Sequence, residues 1–318
     1  MRSKRYHISK LGVIANPEAG SGEDVIEDIA QKAMAIFREC SIIRPALDRG
    51  RNATVSIAGE IARQVDAILV IGGDGTMSDV AYGLYGTGAD TPVIGIGAGS
   101  TNAGPLITEK AGRIEGIIPE DLTICEVGGI IAALNKKEIG LGFNDVVLGD
   151  TVLTTLGTKV IQVSAAEFMK GRKIHVSPSR AGTGDSEVFI IRQKTEIALI
   201  HKGEFGQMFA APIEARYLGK GLAGGVSLAA ALGLPAGIAI TSEPLINFSI
   251  EVKELLAMEP VVTRYASFRE GDEVVVRGLK EGTCLNIDGN PLALLGSDDE
   301  VSLGYIPSAV KMLKKNDS

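Results

Sequence analysis

Residues 67–84, AILVIGGDGTMSDVAYGL, constrain the fold more than any other stretch of the chain. The uncharged, branched run AILVI reads as a strand buried on both faces, as in a parallel sheet. It passes through Gly72, Gly73, Asp74, Gly75 and Thr76 into TMSDVAYGLYG, whose pattern predicts a helix closed by Gly86. An acid among glycines at the end of such a strand is costly to bury without a partner or a task, and glycines let other atoms come close. Two roles are open to Asp74: capping the helix, or meeting a ligand at the strand end.

The same unit recurs on either side. KLGVIANP is a strand ending in a proline turn, and TPVIGIGAG is another buried strand. Between them GEDVIEDIAQKAMAIFREC carries Val25, Ile29, Ala33, Ile36 and Phe37 at helical spacing. Strand, helix and strand in repetition imply a parallel sheet with right-handed crossovers, and ligands bind at the carboxyl ends of such strands. NPEAGSG, GGDGT and GAGSTN all fall there. The first brings Asn16, Gly20, Ser21 and Gly22 to a helix start, and the third brings Ser100, Thr101 and Asn102. Neither a Walker A spacing nor a GxGxxG follows the first strand, which disfavours a P-loop and a dinucleotide-binding dehydrogenase.

Beyond Glu115 the texture changes to short, partly alternating runs between Gly, Asp and Asn turns, such as SEVFIIRQ, TEIALIHKG and DEVVVRGL. These predict a mostly antiparallel β domain. The expected boundaries are 1–118 for the α/β part, 119–300 for the β-rich part, and a helix-like tail over 301–318 that packs back or frays. His175 and His201 lack any nearby motif, Glu167 to Lys173 read as a solvated helix end, and Asp272, Glu273 and Asp298 to Glu300 read as turn acids.

The net charge of −7 argues against a nucleic-acid partner, whose binding rests on basic patches. It leaves a phosphate ligand open, because glycine-loop amides hold phosphate without Lys or Arg. Cys40, Cys125 and Cys284 are odd in number and far apart, which argues against a disulfide framework or zinc site and fits a reducing compartment. The basic N-terminus has no apolar run behind it, so it does not read as a signal peptide. Residues 221–242, GLAGGVSLAAALGLPAGIAITS, are uncharged, but the GLPAG interruption predicts a buried helix, turn and strand instead of a membrane span. The expected protein is soluble and cytoplasmic, with no transmembrane segment.

NPEAGSG, VIGGDGT, PVIGIGAGSTNAGPLITE, FNDVVL and LNIDGN, in that order, resemble the superfamily that unites NAD kinases with diacylglycerol and sphingosine kinases. The resemblance covers the first third well and then patches around Asn144 and Asp288. It implies an ATP-dependent kinase of an alcohol. The fold it implies is a Rossmann-like parallel α/β domain followed by a β-rich, β-sandwich-like domain, with the active site in the cleft. The family's roles carry donor phosphate binding to Gly72, Gly73, Gly75 and Thr76, joined by Asn16, Gly20, Ser21 and Gly22 of the first loop, and put Asp74 near the acceptor hydroxyl. Mg²⁺ is expected with the ATP, without an assigned ligand set.

Asn144-Asp145 matches the Asn-Glu/Asp pair with which NAD kinases hold adenosine, and GPLITE is similar to their segment after the GGDGT helix. GAGSTN is closer to the Gly-Thr-Gly-Asn loop of lipid kinases, whose glutamate after the late Asp-Gly is replaced here by Asn290. The Gly-Ser-Thr-Ala-Tyr segment of NAD kinases has no clear copy. The acceptor set is therefore Ser100, Thr101, Asn102, Asn144, Asp145 and Asp288, with NAD as the first acceptor and a lipid, sphingoid or other small alcohol as the alternative. ATP or polyphosphate as donor, and a catalytically silent nucleotide-binding regulator, stay open as well. The NAD-kinase resemblance also implies a homodimer or homotetramer.

Overall fold

The computed structural model describes the chain apart from residues 1–5, 18, 20–21, 45–49, 100–101, 103, 157–158, 214–231, 246–259 and 316–318. It divides into two compact units, Met1–Gly129 with Pro307–Ser318, and Ile130–Ile306. The division thus falls at Gly129 instead of residue 118, and the C-terminal residues return to the first unit.

The first unit alternates strand and helix: β1 (Lys10–Ala15), α1 (Glu23–Ile36), β2 (Ser41–Ile43), α2 (Arg51–Ala62), β3 (Ala67–Gly72), α3 (Asp74–Thr87) and β4 (Val93–Gly97). Short β5 (Glu109–Lys110) and long β6 (Leu122–Leu134) follow. The strands lie parallel in the order β2–β1–β3–β4, and every residue of β3 and β4 is buried. Alternate residues Leu11, Val13, Leu69, Ile71, Ile94 and Ile96 form one core with Ile26, Ile29, Ala30 and Ala33 of α1. Of the predicted α1 face Ile29, Ala33 and Phe37 are buried, whereas Val25 is 48% exposed and Ile26 stands in the core instead. Helix α3 runs through Gly86 and ends at Gly88, whose φ of +61° gives the left-handed stop that glycine adopts without strain.

In the second unit come β7 (Lys137–Gly142), β8 (Val146–Gly149), β9 (Thr151–Leu156), β10 (Lys159–Ser164), the single turn α4 (Ala165–Phe168), β11 (Gly182–Arg192) and β12 (Thr195–Lys202). After them run β13 (Gln207–Pro212), β14 (Ala236–Thr241), β15 (Thr263–Phe268), β16 (Asp272–Leu279), β17 (Cys284–Ile287), β18 (Asn290–Leu294) and β19 (Val301–Lys315). One antiparallel sheet is ordered β12–β11–β16–β19, and the other β15–β14–β13–β8–β17–β18. Their apolar faces share a core, Val188, Val274, Val276 and Leu303 on one side with Leu148, Met208, Ile238 and Leu285 on the other. The two halves of the fold expectation, parallel α/β and antiparallel β, are both present.

The helix-like tail is a strand. The start of β19 pairs antiparallel with β16, whereas Met312 pairs in parallel with Val93 of β4. A strand buried on both faces has no alternation, so Ala309, Val310, Met312 and Leu313 read equally well as a helix face. In the uncharged stretch 221–242, residues 221–231 lie outside the described residues, and β14 is a strand buried throughout. Among the described residues no helix is long and apolar enough to cross a membrane.

Candidate functional site

Three loops meet at the carboxyl ends of β1, β3 and β4. After Gly72 the chain passes through extended Gly73, and α3 starts on Asp74. Asp74 is the first helical residue and no side chain caps the helix, so capping is not its role. Its Oδ1 instead accepts from the Gly104 amide at 2.9 Å.

Asn16 ties the first loop to the second. Its backbone N–H donates to Ile71 O (2.9 Å) and its Nδ2 to Thr76 Oγ1 (2.8 Å). The loop closes through Ala19 N on Asn16 O and Gly22 N on Ala19 O, and α1 begins after Gly22 at φ +86°. Glu23 and Asp24 open α1, which sets two carboxylates on its positive end, while the first turn of α3 carries Asp74 alone. A phosphate meets less repulsion at α3.

The third loop is stacked on the second. Ala98 N donates to Gly72 O at 2.8 Å. A Cβ on Gly99 would lie 2.6 Å from the Gly73 Cα, and one on Gly73 3.2 Å from the Gly99 Cα. What comes close to these glycines is the backbone of the other loop. Asn102, at φ +47°, turns its side chain onto Gly99, accepting from its N–H (2.7 Å) and donating to its C=O (2.6 Å). Its amide therefore shapes the loop. Gly75 is the second residue of α3, and Gly20, Ser21, Ser100 and Thr101 lie outside the described residues.

In the second unit Phe143, Asn144 and Asp145 connect β7 to β8. Asp288, at φ +48° in the tight turn after β17, grips that connection. Its Oδ1 accepts from the amides of Phe143 (3.1 Å), Asn144 (2.7 Å) and Asp145 (3.0 Å), and its Oδ2 from Phe143 (2.9 Å). The Asp288 N–H donates back to Asp145 O at 3.0 Å. The Asp288 carboxylate bonds the main chain and fixes the turn that bears Asn144 and Asp145.

The remaining polar candidates serve the fold. His175 Nδ1 contacts Gln162 O at 2.8 Å, and His201 Nε2 lies 3.1 Å from the carbonyls of Gly203 and Glu204. Glu167 pairs with Lys170 and Arg172, and Asp272 with Arg192. Burial pushes the Cys284 thiol up to about 12, which makes it inert at neutral pH. Among the described residues no group of three or more His, Cys, Asp or Glu could hold a metal ion.

Residues 10–112 match the diacylglycerol kinase catalytic domain. The chain is 32% identical to an uncharacterized protein of Archaeoglobus fulgidus over 315 residues, 93% of this chain and 96% of the other. A diacylglycerol kinase of Bacillus anthracis has the same fold at 14% identity and a TM-score of 0.53, with 97% of this chain and 98% of that one covered. Yeast NADH kinase, solved with NADH, aligns at 13% identity and a TM-score of 0.50, over 97% and 84%. Residues 10–112 carry a diacylglycerol kinase catalytic domain. That domain holds all three glycine-rich loops, from Asn16 to Asn102. Sequence reasoning missed the Gly104 amide on Asp74 and the grip of Asp288. The first is a backbone group that looks alike at every residue, and the second joins residues more than a hundred positions apart.

Proposed function

We propose that this protein is an ATP-dependent kinase of a small-molecule alcohol, with NAD as the acceptor and Asp74 as the group that orients the attacking hydroxyl and takes its proton. The observation that carries the reading is Asp74 at the uncapped start of α3, where a carboxylate and helix amides share one strand end. The amides at the start of α3 and the backbone of Gly72 and Gly73 hold the donor phosphates and stabilise charge on the moving phosphoryl group. Ser100 and Thr101, by residue type, are assigned to the acceptor. Asn16 and Thr76 hold the first two loops in register through their 2.8 Å bond.

Mg²⁺ supplies charge neutralisation on the donor phosphates. Asp74 is the carboxylate of the GGDGT loop that could share the ion with those phosphates. Asn144 and Asp145 read the acceptor, since an amide and a carboxylate can recognise an adenine amine or ribose hydroxyls. Asp288 acts one step back, by fixing their turn.

A lipid or sphingoid alcohol is the second reading, supported by the diacylglycerol kinase match over residues 10–112. That match lies in the first unit, whereas Asn290 stands where a lipid kinase carries glutamate. The test is incubation with Mg²⁺ and ATP or polyphosphate, against NAD, NADH, diacylglycerol and sphingosine in parallel. Phosphorylated NAD supports the reading, a phosphorylated lipid replaces it with the second, and nucleotide binding without product from any acceptor overturns both.

A further inference from the structure

The support of Asp74 runs outward to the end of the chain. Gly104, whose amide bonds Asp74, begins a loop that lies flat on β4: a Cβ on Gly95 would sit 2.0 Å from Leu106 O. Thr108 pins the far end of that loop, with its N–H on Gly95 O (2.8 Å) and its Oγ1 accepting from Gly95 N (3.0 Å). The same hydroxyl donates to Leu313 O at 3.0 Å, and the neighbouring Lys314 donates its Nζ to Pro105 O, the residue after Gly104. Met312, two residues before Lys314, is the one that pairs with Val93 of β4.

We infer that Lys314 is a positioning residue for Asp74: the ammonium on Pro105 O fixes the loop two peptide units beyond the Gly104 amide that aims the carboxylate. A charged donor on a carbonyl is among the stronger hydrogen bonds, and its loss loosens the loop that Thr108 also holds. The inference rests on the proposed role of Asp74 for its effect on turnover, but its structural half stands without any activity.

The experiment uses the full chain with Lys314→Met and Lys314→Arg. Amide hydrogen exchange at Gly104, read by NMR without substrate, is expected to be about threefold to tenfold faster in Lys314→Met, with wild-type protection restored in Lys314→Arg. In the kinase assay kcat falls by a similar factor with the donor KM unchanged. Unchanged exchange at Gly104 overturns the inference. A donor KM that rises steeply while exchange stays at the wild-type rate overturns it in favour of direct contact between Lys314 and a phosphate. Faster exchange with unaltered kcat keeps the anchoring and removes Asp74 from catalysis, so that failure belongs to the proposed function instead. If Lys314→Met fails to fold, Lys314→Gln carries the test: faster exchange at Gly104 there supports the inference, and wild-type protection refutes it.

Discussion

Replacing Asp288 by Asn isolates what its carboxylate does. Asn tolerates the left-handed backbone of the native residue, φ +48°, so the change leaves the turn's conformational preference intact. Three consecutive amides, those of Phe143, Asn144 and Asp145, converge on the two carboxylate oxygens. An Asn side chain offers one acceptor oxygen and presents an NH₂ where the other acceptor stood. With that oxygen at the Oδ1 position all three amides keep an acceptor, the Phe143 amide faces a donor at its second contact, and the charge assistance is lost. With lost charge assistance at about 1 kcal/mol and a weakened Phe143 bond, Asp288→Asn costs about 1–2 kcal/mol. Urea unfolding followed in the second unit reads this loss, and separate titrations of acceptor and donor read its functional side. Acceptor affinity falls with the displaced turn, and donor affinity stays. An unchanged unfolding midpoint together with an unchanged acceptor KM would refute the reasoning, because the β8–β17 ladder alone would then hold the turn.

Asp74→Asn keeps nucleotide affinity and lowers turnover by about 10²–10⁴, measured on purified protein; near-wild-type turnover removes Asp74 from the chemistry. Gly99→Ala drives a Cβ to 2.6 Å from the Gly73 Cα, where only main chain can yield, and is expected to cost about 1–3 kcal/mol by thermal unfolding and to depress nucleotide binding. Binding and stability at wild-type values would mean that the two loops part freely. The Arg192 guanidinium holds the buried Asp272 carboxyl below its ordinary value. That stability is present above the unfolded pKa of about 4 and is lost as pH falls through the folded one. Asp272→Asn should therefore flatten the acid limb of an unfolding-versus-pH curve below about pH 4, and an acid limb as steep as the wild type excludes the pair as its source.

Legibility in the sequence followed the chemistry of each signal. AILVI and PVIGIG read as buried parallel strands because burial on two faces leaves an uninterrupted apolar run, and both are buried throughout. The same property hid the end of β19, where an apolar run without alternation fits two periods at once. On α1 the spacing found Ile29, Ala33 and Phe37 but took Val25 for Ile26, because the two neighbours are equally apolar. At the site, Asp74 stood out as an acid among glycines. The glycines themselves were visible but their reason was not: Gly73 and Gly99 lie in loops about twenty-six positions apart and are small for each other's sake. Asp288 announced an acid in a turn, and nothing local said that its partners were the amides of Phe143 to Asp145.

The return of Pro307–Ser318 to the first unit has a consequence for how the protein is made. Strands β1 to β4 leave the ribosome early, yet Met312, which pairs with Val93 at the start of β4, is synthesised more than two hundred residues later. Residues 130–306 are complete before the first unit can be, so the second unit matures on a chain whose other sheet still has part of an apolar strand uncovered. A chain that stops between Ile306 and Met312 would hold a second unit with its whole sequence and a first unit whose β4 lacks its β19 partner, an exposure on which chaperones and proteases act. The unit that begins first is thus the one completed second.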